Sequence, residues 1–303
     1  MIARSGIAVA VDGSAVSLAA VRWAAMEAAR RRVGLTVVHV CEVNSAYLWA
    51  APRLPEQLQE LSRPTVVEAM ELARRTTPEV EVDDWTLVGP ASRMLLLVSE
   101  QAGLLVLGRS GKTALAANLV GSVTYRMAAH AHCPVVTISA PANDEHVQSE
   151  PKRIVVGLAD RPTEGRALDF AIVEAARHDA ELLVVRAWHS TEADPVFRER
   201  EQLEKLNQLI ATHLSRHTVE IPAASMIRAG APAGALIGSC RPDDLLVLGQ
   251  HRHAPFVPAS VGKVIADCLH RAPCPVAVVP EPAIAENQPE RPRVAEAAGL
   301  ISY

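Results

Sequence analysis

The stretch GRSGKTALAANLVGSV, residues 108–123, decides the fold of this 303-residue chain. The apolar run Leu104–Leu107 precedes it and predicts a buried strand, and the pattern from Ser122 to Ala131 predicts a helix. Glycine lets backbone N–H groups approach an anion closely, because no Cβ stands in the way. The start of a helix adds unpaired N–H groups and a partial positive charge. A strand that runs through a glycine-spaced loop into a helix is therefore typical of a phosphate-binding site.

The two halves of the chain contain the same landmarks in the same order. Three of them recur at a constant offset of 141 residues: Gly108 and Gly249, Gly121 and Gly262, Cys133 and Cys274. The starts of the halves, 7–12 and 154–159, also correspond, at an offset of 147 residues. This indicates duplication of a whole domain. We expect one domain over 1–140, a polar linker over 141–152, a second domain over 153–280, and a tail over 281–303 that is either disordered or a short docking helix.

Strand and helix patterns alternate through both halves. The predicted strands are 7–12, 35–40, 80–88, 104–107 and 135–139, then 154–159, 181–188, 219–229, 245–248 and 276–280. The predicted helices are 14–32, 56–75, 92–101 and 122–131, then 163–178, 195–216 and 233–240, with a final helix before the last strand. Such alternation predicts an α/β fold with parallel sheets that carry helices on both faces.

Composition excludes several classes of function. The formal net charge is −4 and aromatic residues make up 3%, so the chain lacks the basic surface and the stacking platforms of a nucleic-acid binder. No apolar run approaches the roughly 20 residues that span a bilayer, and the first residues do not resemble a signal peptide. The five cysteines have neither disulfide-scaffold nor zinc-site spacing. These features predict a reduced, cytoplasmic protein with no nucleic-acid or membrane partner.

Three motifs together resemble those of the universal stress protein family. The glycine motif is complete: Gly108, two residues, Gly111, nine residues, Gly121 and then Ser122. The segment Val11-Asp12-Gly13-Ser14 at the end of the first strand resembles the adenine-side signature of that family. The segment His132-Cys133-Pro134-Val135 resembles its closing strand. The resemblance covers roughly 2–140 and 151–280.

The resemblance implies two tandem open-sheet nucleotide-binding (Rossmann-like) domains, each a mainly parallel five-stranded sheet with helices on both faces. ATP, with Mg²⁺ as its counter-ion, would lie across the carboxyl ends of the strands. Asp12 would contact adenosine, the backbone at Ala10 and Val38 would border adenine, and the glycine loop and the following helix start would hold the phosphates. The implied ATP contacts are Ala10, Val11, Asp12, Gly13, Val38, Gly108, Arg109, Ser110, Gly111, Lys112, Thr113, Ala114, Gly121, Ser122, Val123 and Thr124.

Each of these assignments has a structural alternative. Asp12-Gly13-Ser14 is also a good turn and helix N-cap, and Ser122 would equally cap its own helix. Lys112 is alternatively a solvated loop charge. Cys133 and Cys274 are interpreted as small packed residues beside a proline turn.

The second half departs from the motif. Arg252 replaces the middle glycine, Lys263 follows Gly262 in place of a serine, and Ala159 stands at the position of Asp12 with Asp160 next to it. A Cβ at position 252 opposes the turn that glycine allows, so we expect weak or no ATP binding. Side chains of His251, Arg252 and Lys263 would still attract an anion. The residues of this second site are Gly157, Gly249, Arg252, Gly262 and Lys263.

The leading hypothesis is an ATP-binding regulatory protein of the cellular stress response, in which nucleotide in the first domain controls conformation or the binding of an unidentified protein partner. No GxxxxGK[ST] string is present, so an enzyme is not expected, although slow ATP hydrolysis stays an alternative. A module that binds no nucleotide is the third hypothesis. The apolar last strands of each half predict pairing at sheet edges, both as a pseudo-dimer of the two domains and as a homodimer.

Overall fold

The computed structural model describes residues 6–43, 54–110, 120–139, 150–159, 165–188, 195–250 and 261–281. The described residues up to 139 form one compact unit, and those from 150 to 281 form a second. These units are called the first and the second domain below. Most of the predicted linker 141–152 and all but the first residue of the predicted tail 281–303 lie outside the described residues.

The first domain alternates strands and helices. Its elements are β1 (Ile7–Val11), α1 (Ala15–Arg31), β2 (Leu35–Cys41), α2 (Leu54–Thr76), β3 (Val82–Val88), α3 (Ala91–Ser99), β4 (Leu104–Gly108), α4 (Ser122–His130) and β5 (Val135–Ile138). All paired strands are parallel, and their order is β3-β2-β1-β4-β5. Leu104, Leu105 and Val106 are fully buried, as expected for a strand that is covered on both faces of the sheet.

The second domain repeats this arrangement. Its elements are β6 (Arg153–Gly157), α5 (Gly165–His178), β7 (Glu181–Trp188), α6 (Pro195–His217), β8 (Ala223–Ala229), α7 (Pro232–Ile237), β9 (Asp244–Gly249), α8 (Lys263–Arg271) and β10 (Val276–Val279). The strand order is β8-β7-β6-β9-β10, again parallel throughout. The predicted fold, two tandem α/β domains with open parallel sheets and helices on both faces, is therefore confirmed.

The order of the strands determines where a ligand site is expected in each domain. From β1 the chain crosses to β2 on one side, while β4 pairs with the other side of β1. This reversal opens a crevice at the carboxyl ends of β1 and β4, which is where open α/β sheets bind ligands. β6 and β9 form the same switch point in the second domain.

Register makes the two domains comparable residue by residue. Ile7 pairs with Leu35, and Ile154 pairs with Leu182. It follows that Gly157 corresponds to Ala10 and Arg186 to His39. Among the described residues, no helix combines the length and the apolar character that crossing a bilayer requires.

Candidate functional site

Asp12 is fixed in a tight turn where β1 ends. Gly13 has a φ of +77°, a conformation that glycine adopts without strain. The Oδ1 atom of Asp12 accepts hydrogen bonds from Ser14 N at 3.0 Å and from Ser14 Oγ at 2.6 Å. Ser14 is the N-cap of α1, because its Oγ accepts from Ser17 N at 3.2 Å. The turn-and-cap alternative is thus present, and it holds the Asp12 carboxylate at the carboxyl edge of the sheet.

Gly108 lets the end of β4 approach the start of α1. A Cβ at this position would lie 3.1 Å from Val16 Cγ1 and 3.2 Å from Ser17 N. The second distance is to backbone, which cannot move aside as the tip of a flexible side chain can. Glycine is needed here for close packing, and this packing brings the Asp12 turn next to the first residue of the glycine loop.

The two ends of the loop from 109 to 121 are hydrogen-bonded to each other at the end of β4. Arg109 N donates to Ile138 O at 2.7 Å, and Gly121 N donates to Arg109 O at 2.9 Å. Thr124 Oγ1 donates to Gly108 O at 3.1 Å. These bonds tie the start of α4 to the end of β4. The predicted phosphate contacts Gly111, Lys112, Thr113 and Ala114 lie outside the described residues.

The start of α4 faces the site without a capping side chain. Gly121 is the N-cap residue and Ser122 is the first residue of the helix. Ser122 is therefore not the N-cap, which was the structural alternative for this residue. Ser122 is exposed and Val123 is half-buried. Thr124 is buried, and its hydroxyl donates a hydrogen bond to Gly108 O. The N–H groups of this first turn carry the partial positive charge of the helix. They can therefore bind an anion.

The adenine side of the predicted site is mostly backbone. Ala10 and Val38 are register partners on β1 and β2. The side chain of Val38 is fully buried in the core with Leu87 and Leu95. Only the backbone of Val38 is therefore available to border a ligand, which is the role that the family resemblance implies for it. Val11 is buried as well, whereas Ala10 is only partly covered.

Arg109 and Ser110 form the described base of the glycine loop. Ser110 is buried and Arg109 is half-buried. Burial lowers the pKa of the Arg109 guanidinium, which nevertheless stays charged at neutral pH. The described base of the loop therefore brings one cation close to the carboxyl end of β4.

Two residues that sequence reasoning missed support the Asp12 turn. Ser17 Oγ donates to Ser14 O at 2.9 Å and accepts from Asp12 N at 3.4 Å. His39 Nδ1 donates to the carbonyl of Val11 at 2.8 Å, directly before Asp12. A histidine inside an otherwise apolar strand was the available signal for His39. The serine of an ordinary first helical turn gives no such signal.

In the second domain, a cation contacts the backbone of Ala159, the residue at the position of Asp12. Ala159 has no functional group, and Arg186 Nη2 donates to its carbonyl at 3.3 Å. Arg186 Nη1 donates to Gln202 Oε1 at 3.2 Å, and the arginine is 7% exposed. This arginine was also missed, although it interrupts the apolar run of β7. Asp160, considered as a substitute for Asp12, lies outside the described residues.

Leu236 of α7 is buried and packs directly against Gly157 of β6. A Cβ on Gly157 would lie 2.7 Å from Leu236 Cδ2 and 2.9 Å from Leu236 Cδ1. The corresponding Ala10 of the first domain carries such a Cβ. In the second domain the side chain of Leu236 therefore takes the space of this methyl group, while Leu95, at the position of Leu236, is likewise buried in the first domain. Gly249, at the end of β9, would make only an ordinary contact with Ala167 at 3.4 Å.

The start of α8 differs in charge and anchoring from that of α4. Gly262 is the N-cap, and no atom of the described residues lies within 4 Å of where its Cβ would be. Lys263 is exposed, and its Nζ pairs with Asp267 Oδ2 at 3.2 Å. Ile265 occupies the position of Thr124, so the bond to the end of the neighbouring strand is missing. Arg252 and its neighbour His251 lie outside the described residues.

Comparison with known proteins decides the family. The model of the universal stress protein family matches residues 5–139 and 150–280. The chain belongs to this family. Universal stress protein Rv2005c of Mycobacterium tuberculosis is 30% identical over 288 residues, covering 90% of this chain and 96% of that protein. The predicted family is thus confirmed.

Solved universal stress proteins share the fold. The crystal structure of one from Archaeoglobus fulgidus matches with a TM-score of 0.72 at 16% identity, covering 91% of this chain and 98% of that one. A universal stress protein crystallised in complex with cAMP matches 45% of this chain and 98% of its own, at 24% identity and a TM-score of 0.38. The bound cAMP is a property of that protein.

Proposed function

We propose that this universal stress protein is an ATP-binding regulator of the cellular stress response, with its nucleotide site in the first domain. One observation carries the proposal. Gly108 packs against the backbone at the start of α1, and Thr124 ties the start of α4 to the same strand end. The two segments that the family motifs assign to nucleotide therefore belong to one crevice at the carboxyl edge of the sheet.

Each part of the crevice matches one part of ATP. The carboxylate of Asp12 would accept hydrogen bonds from ribose hydroxyls, while the backbone of Ala10 and Val38 would border adenine. The N–H groups of the glycine loop and of the first turn of α4 would bind the phosphates. Arg109 and Lys112 would add positive charge there, and Mg²⁺ would enter with the ATP.

Regulation rests on the loop from 109 to 121, whose ends meet at the close of β4. Phosphates bound to this loop would favour one arrangement of it over others. A ligand changes a protein's conformation only to the extent that it binds one state better. We propose that a protein partner recognises the ATP-bound arrangement of the first domain.

The second domain is proposed to bind no ATP. Ala159, whose carbonyl accepts from Arg186, stands in place of Asp12, and Lys263, which pairs with Asp267, stands in place of Ser122. We propose that this domain serves in docking or regulation. The homodimer, the pseudo-dimer and the cytoplasmic location remain predictions of the sequence.

The test is the amount of nucleotide that co-purifies with the chain. Protein is isolated gently, the nucleotide is released with acid, and adenine nucleotides are quantified by chromatography. The proposal expects one ATP per chain, its loss in Gly111→Val, and its retention in Arg252→Val, the matched change in the second domain. Absence of nucleotide, even after millimolar ATP is added, contradicts the proposal. Two nucleotides per chain contradict the assignment of the site to the first domain alone.

A second measurement tests regulation separately from binding. Hydrogen exchange is compared with and without saturating ATP. Protection within 104–130 is expected, and it should be absent in Gly111→Val. Stoichiometric binding without any change in exchange would leave ATP as a bound ligand and remove the regulatory role.

A further inference from the structure

We propose that Cys240 and Cys274 of the second domain are a redox-sensitive pair, which forms a reversible disulfide when a hydroperoxide reaches the partly exposed Cys240. Both cysteines are free thiols in this structure. Their side chains are close enough to interact as hydrogen-bonding partners. The pair is a modification site at the amino ends of β9 and β10, and it is independent of the proposed ATP function.

The chain on both sides of Cys240 is anchored to the amino ends of two strands. Arg153 Nη2 donates to Ser239 O at 2.9 Å, directly before this cysteine. Arg241 N donates to Asp244 Oδ2 at 2.7 Å, directly after it. Arg153 and Asp244 are register partners at the starts of β6 and β9. Cys240 is therefore held beside the first residue of β9.

Cys274 is anchored to the same strand. Leu246 N of β9 donates at 3.0 Å to the carbonyl of Pro275, the residue directly after Cys274. A disulfide forms readily only between cysteines whose backbones are already close. Attachment of both cysteines to the start of β9 provides this closeness, because the sheet itself fixes the two segments.

The first domain shows what a side chain at the position of Cys240 does when it is structural. The offset of 141 residues places Ser99 there. Ser99 Oγ accepts from His132 N at 3.1 Å, and this bond links the end of α3 to the segment before β5. The residue that corresponds to His132 is Pro273, which has no N–H to donate. The structural purpose of Ser99 is therefore absent at Cys240.

The two thiols differ in access, and this difference assigns a step to each. Cys240 is half-buried, whereas Cys274 is 1% exposed. A hydroperoxide ROOH would meet Cys240 first and oxidise its thiol to a sulfenic acid, with release of the alcohol ROH. The sulfur of Cys274 would then attack the sulfenic sulfur and form the S–S bond. The sulfenic hydroxyl and the proton of the Cys274 thiol leave as water, so two electrons have passed from the thiol pair to the peroxide.

The environment of Cys274 fits the second step and not the first. The neighbouring Cys240 and burial together raise the pKa of the Cys274 thiol well above its ordinary value. Cys274 therefore stays protonated at neutral pH and is a poor target for peroxide, since the thiolate is the reactive form. It reacts once an electrophilic sulfenic sulfur has formed directly beside it.

Packing is the alternative role for these side chains, because small buried thiols fill space without any redox chemistry. Cys268 on α8 is fully buried and lies close enough to Cys240 for an electrostatic interaction, so it is the competing partner for a disulfide. The roles differ in a measurable way. Packed thiols predict no disulfide in folded protein, and the identity of the linked peptides distinguishes Cys268 from Cys274.

The experiment treats folded, full-length protein with hydrogen peroxide in the presence of a chelator. Remaining thiols are then blocked with N-ethylmaleimide under denaturing conditions, and the linked peptides are identified by mass spectrometry. One intramolecular disulfide per chain is expected, between Cys240 and Cys274, and dithiothreitol should reverse it. This readout uses the unaltered chain and depends on no variant that must fold.

Variants assign the two steps. Cys240→Ser gives the second domain the residue of Ser99 and should abolish the disulfide. Cys274→Ser should leave a sulfenic acid on Cys240, which dimedone traps. Cys133→Ser is the matched change in the first domain and should leave disulfide formation unchanged. The proposal is overturned if folded protein forms no intramolecular disulfide, if Cys240 pairs with Cys268 instead, or if the disulfide persists in folded Cys240→Ser.

Discussion

The two domains share a strand order and differ at the carboxyl ends of their strands. In the first domain, Asp12 accepts hydrogen bonds from Ser14 at the end of β1, and Thr124 donates to Gly108 O at the end of β4. In the second, Arg186 donates to the carbonyl of Ala159, and Ile265 stands at the position of Thr124. The apolar strands that determine the fold are present in both domains, while a few residues at the strand ends distinguish the crevice that is proposed to bind nucleotide from the other.

A second contrast lies at the opposite ends of the strands. In the first domain Gly103 N donates directly to Gly6 O at 2.8 Å. The corresponding residues of the second domain are Asp244 and Arg153, whose side chains pair at 2.7 Å. In the second domain these two positions are register partners in the β6–β9 ladder, and their side chains add a largely buried ion pair.

Asp244→Ala should give the largest effect and should confine it to the second domain. Asp244 is 2% exposed, and its carboxylate also accepts from Arg241 N at 2.7 Å. Removing it leaves Arg153 without its carboxylate, which costs about 3–5 kcal/mol for a buried pair. Hydrogen exchange measured by mass spectrometry should rise across 150–281 and stay unchanged across 6–139. Asp243→Ala is the control, with a much smaller effect, and equal effects of the two changes would contradict the prediction.

The sequence predicted the fold because the signals are local and periodic. The helix predicted over 195–216 is observed as Pro195–His217, and the strand 181–188 is observed without change. The errors of prediction are confined to the ends of strands and helices. The strand predicted from 219 begins at Ala223, since Pro222 before it has no N–H for the ladder. Helix 233–240 ends earlier, at Ile237, before Gly238.

Part of the candidate site was predictable in the same way. The Asp12 turn follows from Gly13 and Ser14, which are adjacent in the chain. The contact between Gly157 and Leu236 was not predictable, because these residues meet only after two strands and two helices have folded. The contact of Arg186 with Ala159 has the same origin. Long-range contacts of this kind depend on register, which local patterns do not supply.

Asp12→Ala gives the first domain the residue that the second domain has at Ala159. A lost hydrogen bond to a charged group costs about 1.5–3 kcal/mol, so ATP affinity should fall by about ten- to a hundredfold. Equilibrium titration with a fluorescent ATP analogue measures this change. Ser14→Ala removes the helix cap but keeps the carboxylate, and it serves as the control for damage to the turn. Unchanged affinity in Asp12→Ala would remove this residue from the proposed site.

Gly157→Ala is the reverse exchange, since it gives the second domain the residue of Ala10. The new Cβ would press on Leu236, and such overpacking costs about 1–3 kcal/mol. We expect the loss of unfolding free energy to lie near the lower end of this range, because the contact is with the tip of a side chain. Urea denaturation followed by Trp188 fluorescence, in a variant that retains only this tryptophan, measures the change. Adding Leu236→Val should recover part of the loss, whereas simple additivity of the two substitutions would contradict direct contact.

Thr124→Val should give the smallest effect and should separate anchoring from packing at the start of α4. Valine keeps the shape of threonine but cannot donate to Gly108 O, so the first domain should lose about 1 kcal/mol of unfolding free energy. Because α4 is then less firmly tied to β4, ATP affinity should fall a few-fold. Ile265→Val changes the matching position of α8, costs about 1 kcal/mol through lost packing, and should leave ATP affinity unchanged. If Thr124→Val lowers stability but not affinity, its hydrogen bond holds the fold and does not position the phosphate end of the crevice.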